Sequence, residues 1–288
     1  MKRFFQYKIL LLGLLSMTVL IFSIATLFQK VETSVVLESS IAQLPPLADL
    51  TTDTWGVFDP ETGQVLAGNN TDVTLPIASV TKLFTAEAVL QSSKQDDVFM
   101  VGQSDIMAEG RAGKLVAGSK VTPYELLYPL LVESSNDAAV AIERYLGDEF
   151  TNTVDTLTNE LNLEHTVILE PSGLSAENVS TVHDLSLFYS YMRREHPHVL
   201  DITQLNMYIN EHTGYVNNNP ARSLSNFSGG KQGYTEAAKR TFVGSFKLPH
   251  SSHELGIVIL QSDDLLHDIN ALLAHRAHFE TQSDILIP

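Results

Sequence analysis

Three short groups of residues in this chain can do chemistry together: Ser79-Val80-Thr81-Lys82, Ser134-Ser135-Asn136 and Lys231-Gln232-Gly233. Ser79 and Lys82 are three apart, so on a helix both side chains leave the same face one turn apart, within mutual reach. A lysine held neutral can take the serine proton and make the hydroxyl a nucleophile, which is acyl-transfer chemistry. Neutrality near pH 7 requires pulling the amine far below its ordinary range, and desolvation plus a nearby second cation do this. Lys231 is the candidate for that cation. Ser-x-x-Lys alone is weak evidence, since the chain holds a second copy at Ser228-Gly229-Gly230-Lys231. The glycine pair there disfavours a helix, whereas Ser79 leads into the apolar-periodic Val80, Leu83, Phe84 and Ala88 and stands at a helix N-terminus. The ordered trio is a recognised serine acyl-transfer signature, which outweighs the plain helix-cap reading of Ser79.

The elements that must position these groups are legible at coarse grain. Residues 55–58 and 64–67 are strand-like runs around Asp59-Pro60-Glu61-Thr62-Gly63, a hairpin. Helices are expected from Ser79, from Thr122-Pro123, over 136–146 with an end at Gly147, over 151–161 and over 182–192. Strands follow at 241–246 and 255–260, then an amphipathic helix carrying Leu265, Leu266, Ile269, Leu272 and Leu273. Strands, a helical insertion, strands and a terminal helix describe an α/β (α+β) fold, an antiparallel β-sheet flanked by helices with an inserted helical lobe. Ser134-x-Asn136 then lies at a junction between helices, where a hydroxyl and a carboxamide project into a cleft and Ser135 or Asn136 also serves as a cap. In the Lys231-x-Gly233 strand, the missing side chain lets a substrate backbone lie close and the lysine offers charge to a carboxylate. Its bland alternative is an edge-strand lysine beside a bulge glycine.

The chain of 288 residues contains no cysteine, which excludes disulfides, thiol nucleophiles, Cys-zinc sites and iron–sulfur clusters. Its formal net charge of −16 repels phosphate backbones, so no nucleic-acid partner is expected. Lys2, Arg3 and Lys8 precede an apolar run over 9–28, 20 residues long, which at a helical rise of about 1.5 Å each just crosses a bilayer. Residues 1–28 therefore read as a signal anchor, a transmembrane helix with its N-terminus in the cytoplasm, 29–53 as an extracytoplasmic linker containing Pro45-Pro46, and 54–288 as the exported domain. A cleaved signal peptide ending near Ser23-Ile24-Ala25 is the rival reading. His275 and His278 lack a carboxylate partner in any metal pattern and read as surface residues, and the glycosylation pattern at Asn69, Asn178 and Asn226 by itself carries little weight.

From about Trp55 to Leu260 the chain resembles the low-molecular-weight penicillin-binding proteins, the serine D-alanyl-D-alanine carboxypeptidase and endopeptidase family. The resemblance is carried by the three groups within Leu75-Pro76-Ile77-Ala78-Ser79-Val80-Thr81-Lys82-Leu83 and Ser134-Ser135-Asn136-Asp137-Ala138-Ala139, and by Pro171-Ser172-Gly173-Leu174, Ser180-Thr181 with Asp184-Leu185, and Gly233-Tyr234-Thr235. It implies a penicilloyl serine transferase (β-lactamase/transpeptidase-like) domain on the outer face of a bacterial membrane. The implied partners are peptidoglycan stem peptides and acylating β-lactam antibiotics, with no cofactor and no metal. Ser79 would be the nucleophile, Lys82 its base, Ser134 the proton relay to the leaving amine, and Asn136 the group holding Lys82 and the substrate backbone. Lys231 would support the electrostatics, Gln232 and Gly233 would line the substrate strand, and the backbone N–H groups of Ser79 and Tyr234 would form the oxyanion hole.

Two positions depart from the family pattern. Gln232 stands where Thr or Ser usually meets the terminal carboxylate; its longer amide puts strict carboxypeptidase action in question and leaves endopeptidase action or a catalytically weak muropeptide-binding scaffold open. Glu170 precedes Pro171, where a β-lactamase would place a water-activating glutamate, but a solvated loop carboxylate is the expectation.

Overall fold

The computed structural model describes residues 50–110, 113–211, 213–248 and 253–275. The anchor reading of 1–28, nearly all of the 29–53 linker, and His278 lie outside the described residues. Among them, no helix is long and apolar enough to cross a membrane.

The first hairpin forms as its turn residues dictate: strands β1 (Thr54–Phe58) and β2 (Val65–Asn69) are joined through Asp59, whose carboxylate accepts from the Glu61 N–H at 2.9 Å and the Thr62 hydroxyl at 3.0 Å. β1 then pairs with the far end of the chain, not only with its neighbour. The strands β9 (Phe227–Thr235), β10 (Lys239–Lys247) and β11 (Glu254–Ser262) complete a five-stranded antiparallel sheet in the order β2-β1-β11-β10-β9. Short two-stranded ladders join β3 (Leu75–Pro76) to β6 (Val179–Ser180), β4 (Phe99–Met100) to β5 (Lys120–Val121), and β7 (Met207–Ile209) to β8 (Gly214–Val216).

A helical lobe intervenes between β2 and β9. It comprises α1 (Thr81–Gln91), α2 (Asn136–Leu146), α3 (Asp148–Glu160), α4 (Val182–Glu195) and α5 (Pro197–Gln204), and α6 (Leu265–Ala274) returns against the sheet. The helix expected from Ser79 forms as α1, and every residue from Thr81 to Val89 is buried. It is the central helix of the domain, with Phe84 stacked on Phe188 of α4 at 3.8 Å between ring centroids. A helix buried all round must partner its polar groups. The Thr85 hydroxyl donates to the Pro171 carbonyl at 2.6 Å, and Glu87 accepts from the Tyr191 hydroxyl at 2.9 Å and lies 2.8 Å from His196 Nδ1.

The helix expected from Thr122-Pro123 is also corrected. Thr122 and Glu125 form a reciprocal capping box, each side chain accepting from the other's N–H at 3.1 and 2.8 Å, but turns follow and then a π-helical segment, Pro129–Glu133. Pro129 has no N–H to give an α-helical ladder, so the chain widens there and ends at Ser134 in the left-handed conformation, φ 65°. α2 matches the expected 136–146, α3 begins three residues before the expected 151–161 and ends one short of it, and α4 runs three residues past the expected 182–192. The sequence reading missed α5 and the β7–β8 hairpin.

Candidate active site

Ser79 is delivered by a 3-10 turn, Ala78–Val80, which runs directly into α1. Ala78 sits at φ 48°, a strained position for a residue with a Cβ, and three neighbours hold it there. The Thr241 hydroxyl donates to the Ile77 carbonyl at 2.7 Å, tying the turn to β10. Gly173 and Gly233 pack against its two sides: a Cβ on Gly173 would lie 1.9 Å from the Ala78 oxygen, and one on Gly233 would lie 2.6 Å from the Ser79 nitrogen. The space expected to admit a substrate backbone at Gly233 is therefore taken up by the nucleophile's own turn. The chain at Gly233-Tyr234 consequently runs past the Ser79 amide.

Lys82 is fully buried, and its ammonium reaches back one turn to Ser79 Oγ at 3.0 Å. It also donates to Asn136 Oδ1 at 2.8 Å and to the Ser172 carbonyl at 2.5 Å. Asn136 is held in turn, its Nδ2 donating to the Glu109 carbonyl at 2.7 Å. The cap of α2 falls to Ser135, whose Oγ accepts from the Ala138 N–H at 3.0 Å, so Asn136 points its carboxamide at Lys82. Ser134, turned by its left-handed backbone, accepts from Lys231 Nζ at 2.9 Å. Lys231 lies on the edge strand β9 but is 3% exposed, and it also donates to the Gln232 carbonyl at 2.8 Å. The bland edge-strand reading is thus corrected on burial. The second Ser-x-x-Lys copy lies on β9 and not on a helix, so the one-turn spacing that pairs Ser79 with Lys82 does not arise there.

These groups line a cleft of about 200 Å³ between the β9 edge and the helical lobe, walled by Ser79, Ser134, Asn136, Gln232, Gly233 and Tyr234, with Leu174 and Asn218 at its rim. Asn218 was not anticipated; it stands in Asn217-Asn218-Asn219-Pro220, a run that marks only a turn. Asn178 was set aside as a sequon, yet it is fully buried. Its Oδ1 accepts from the Leu169 N–H at 2.9 Å, and its Nδ2 donates to the Glu170 carbonyl at 2.8 Å and to Thr81 Oγ1 at 3.2 Å. It pins the loop that presents the Ser172 carbonyl.

The solvated reading of Glu170 is corrected. It is half-buried, and its carboxylate accepts from the Ser172 N–H at 2.7 Å, Ser172 Oγ at 2.6 Å, the Gly173 N–H at 2.6 Å, the Ser175 N–H at 3.2 Å and Asn178 Nδ2 at 3.0 Å. All its acceptor capacity is used inside its own loop, which leaves none for a water at Ser79.

Asp137, next to Asn136, is 2% exposed, accepts from the Gly113 N–H at 3.1 Å through Oδ2, and has no partner for Oδ1 among the described residues. Burial pushes its carboxyl up, with the Asp105 charge adding to the shift and a backbone hydrogen bond from Ala108 opposing it. A carboxyl raised in the folded state binds its proton more tightly there, so its contribution is fully present below the unfolded value of 3.8 and is lost as pH rises towards the raised one. Asp137→Asn should therefore gain in melting temperature relative to the parent as pH goes from 4 to 7; a difference constant with pH would contradict this.

A five-stranded antiparallel sheet with a helical lobe, and a cleft-lining serine paired with a buried lysine near a second buried lysine, define the penicilloyl serine transferase class of fold. The chain belongs to the Peptidase_S11 family, D-alanyl-D-alanine carboxypeptidase, whose model matches residues 39–263. It is 33% identical over 172 residues to a D-alanyl-D-alanine endopeptidase of Pseudomonas aeruginosa, a match covering 57% of this chain and 56% of that protein. It is 31% identical over 210 residues to the D-alanyl-D-alanine carboxypeptidase DacB2 of Mycobacterium tuberculosis, covering 69% and 72%. Among solved structures, a D-alanyl-D-alanine carboxypeptidase of Mycobacterium tuberculosis H37Rv superposes with a TM-score of 0.74 at 28% identity, over 82% of this chain and 94% of that one. The alignment thus spans little more than half of the Pseudomonas endopeptidase.

Proposed function

We propose that this protein is a serine DD-peptidase acting on peptidoglycan stem peptides, cleaving D-alanyl-D-alanine or D-alanine cross-link bonds through an acyl-enzyme on Ser79. The observation that carries the reading is the buried Lys82 Nζ held on Ser79 Oγ, Asn136 Oδ1 and the Ser172 carbonyl. In this mechanism Lys82, in its neutral form, takes the hydroxyl proton as Oγ attacks the carbonyl. The N–H groups of Ser79 and Tyr234 receive the developing oxyanion, each such donor being worth about 3 kcal/mol in related chemistry. Ser134, linked to Lys231, passes a proton to the departing amine, the C–N bond breaks, and water resolves the ester. β-Lactams would acylate the same serine.

The relatives' names support both carboxypeptidase and endopeptidase action, and the 9–28 apolar run with its preceding basic residues supports a membrane-anchored catalytic domain on the outer face of a bacterial cell membrane. Nothing about Glu170 favours a β-lactamase, since its carboxylate is occupied by its loop. The test is prolonged incubation with benzylpenicillin followed by intact mass and peptide mapping. A single penicilloyl adduct on the Ser79 peptide is expected; no adduct, or one on another serine, overturns the assignment.

A further inference from the structure

Asn136 serves Lys82 only one way round. Its Oδ1 accepts from Lys82 Nζ at 2.8 Å, and a flipped carboxamide would set its N–H donors against the amine. A main-chain oxygen fixes the orientation, since Asn136 Nδ2 donates to the Glu109 carbonyl at 2.7 Å. Glu109 lies outside regular secondary structure, between the 3-10 turn Asp105–Met107 and β5, so its place depends on side chains that reach this stretch from α2. Two carboxylates make the attachment. In the last turn of α2, Arg144 holds the buried Asp105 through bonds of 2.7 and 2.8 Å, and Asp105 accepts from the Gly102 N–H at 2.7 Å. In the first turn, Asp137 accepts from the Gly113 N–H at 3.1 Å, and the Ala108 N–H faces the same carboxylate. Ala108 and Gly113 bracket Glu109 and the cleft-lining Gly110. Packing against α2 is close at two points: a Cβ on Gly113 would lie 1.6 Å from Ser135 Oγ, and one on Gly110 would lie 3.0 Å from Asn136 Nδ2. Neighbouring residues on a helix point about 100° apart, so Asn136 and Asp137 present a carboxamide to Lys82 and a carboxylate to the stretch that orients it.

We propose that Asp137 is a positioning residue for the Ser79–Lys82 pair: by holding main-chain amides on either side of Glu109, it sets the carbonyl that aims the Asn136 carboxamide at Lys82. The proposal rests on the serine DD-peptidase reading, in which Lys82 is the base. Asp137 is buried and is not among the described residues that wall the cleft, so it acts through its neighbours. Without its bonds the Glu109 oxygen leaves Asn136 Nδ2, the carboxamide is free to turn, and Lys82 loses a fixed acceptor. Proton transfer from Ser79 then falls with the fraction of time the pair is aligned. The charge of Asp137 acts separately, because a carboxylate one residue from the partner of Lys82 favours the charged amine. Asparagine removes that charge and keeps an oxygen for the Gly113 N–H, so it distinguishes the two effects.

The test is a double-mutant cycle on the rate of penicilloyl-adduct formation at Ser79, followed by time-resolved intact mass with each variant held well below its own melting temperature. Asp137→Ala should lower the rate by at least about tenfold, the size of one lost orienting hydrogen bond, and Asp137→Asn should stay within about threefold of the parent. Asn136→Ala lowers the rate by itself, and adding Asp137→Ala to it should change that rate by less than about threefold, because no carboxamide remains to be aimed. Asp137→Leu, which removes the acceptor and keeps the volume, replaces the alanine variant in the cycle if the latter does not fold. Losses that multiply in the double variant mean that Asp137 supports only the fold or the cleft wall, and they overturn the proposal. An Asp137→Ala rate within about threefold of the parent overturns it too, as does an Asp137→Asn rate as low as that of the alanine variant, which makes charge the cause. Absence of a Ser79 adduct in the parent sinks the peptidase reading itself, whereas an adduct in the parent with multiplying losses sinks only the role of Asp137.

Discussion

Lys82→Met leaves the protein folded and lowers the rate of penicilloyl-adduct formation at pH 7 by about a thousandfold, within the range that a positioned general base contributes. Methionine keeps most of the stem that fills the fully buried site between α1 and the Ser172 loop, so no large cavity opens. Three acceptors lose their donor, the half-buried Ser79 Oγ and the buried Asn136 Oδ1 and Ser172 carbonyl, each buried loss costing about 1–3 kcal/mol. Against this, the variant no longer buries the polar lysine amine, whose desolvation opposes folding. The two effects oppose each other, so the melting temperature moves far less than the rate. Time-resolved intact mass gives the acylation rate and thermal unfolding gives the stability. A variant that acylates within tenfold of the parent would remove Lys82 from the role of base.

Gly173→Ala should destabilise the domain by more than about 3 kcal/mol and with it displace the Ser172 carbonyl from Lys82. Gly173 has φ +85°, and its added methyl would lie 1.9 Å from the Ala78 oxygen and 2.3 Å from the Ala78 carbonyl carbon, backbone atoms that cannot rotate away. Gly118 has the same φ of +85° and nothing within 4 Å of a built Cβ. Gly118→Ala therefore reports the cost of the left-handed backbone alone, about 1–2 kcal/mol. The excess in Gly173→Ala measures the contact between the loop and the nucleophile's turn. Chemical denaturation of both variants gives the comparison, and equal losses would mean that the loop does not press on the Ser79 turn. Acylation should fall in Gly173→Ala and stay near the parental rate in Gly118→Ala, because only the first disturbs a partner of Lys82.

Much of the frame was legible because it is local. The boundaries of α2 follow from a serine cap and a terminating Gly147, both written within one turn of the helix ends. The β1–β2 hairpin follows from its Asp-Pro and Gly turn residues. The all-round burial of α1 comes from its surroundings and not from its own periodicity, and the segment after Thr122-Pro123 departs from a helix because Pro129 outweighs a good cap at the start. Glu170 was misread for a related reason: an acidic side chain is usually solvated, and only the folded loop shows five donors converging on it.

The site divides along the same line. Ser79 and Lys82 could be paired from their spacing, because helical geometry over one turn is a property of the backbone and needs no distant residue. Their setting could not. Lys82 meets Asn136 and Ser172 across 54 and 90 residues of chain, and Lys231 meets Ser134 across 97. The tie of Gln232 to Asn218 spans only 14, yet it too joins β9 to a turn of no regular structure. Such contacts exist only once the sheet edge has closed on the helical lobe, since closing chain segments of that length is an entropic cost that packing of the whole domain must offset. Residue types and local spacing thus named the nucleophile and its neighbour on the helix, while burial and long-range closure established which atoms hold them.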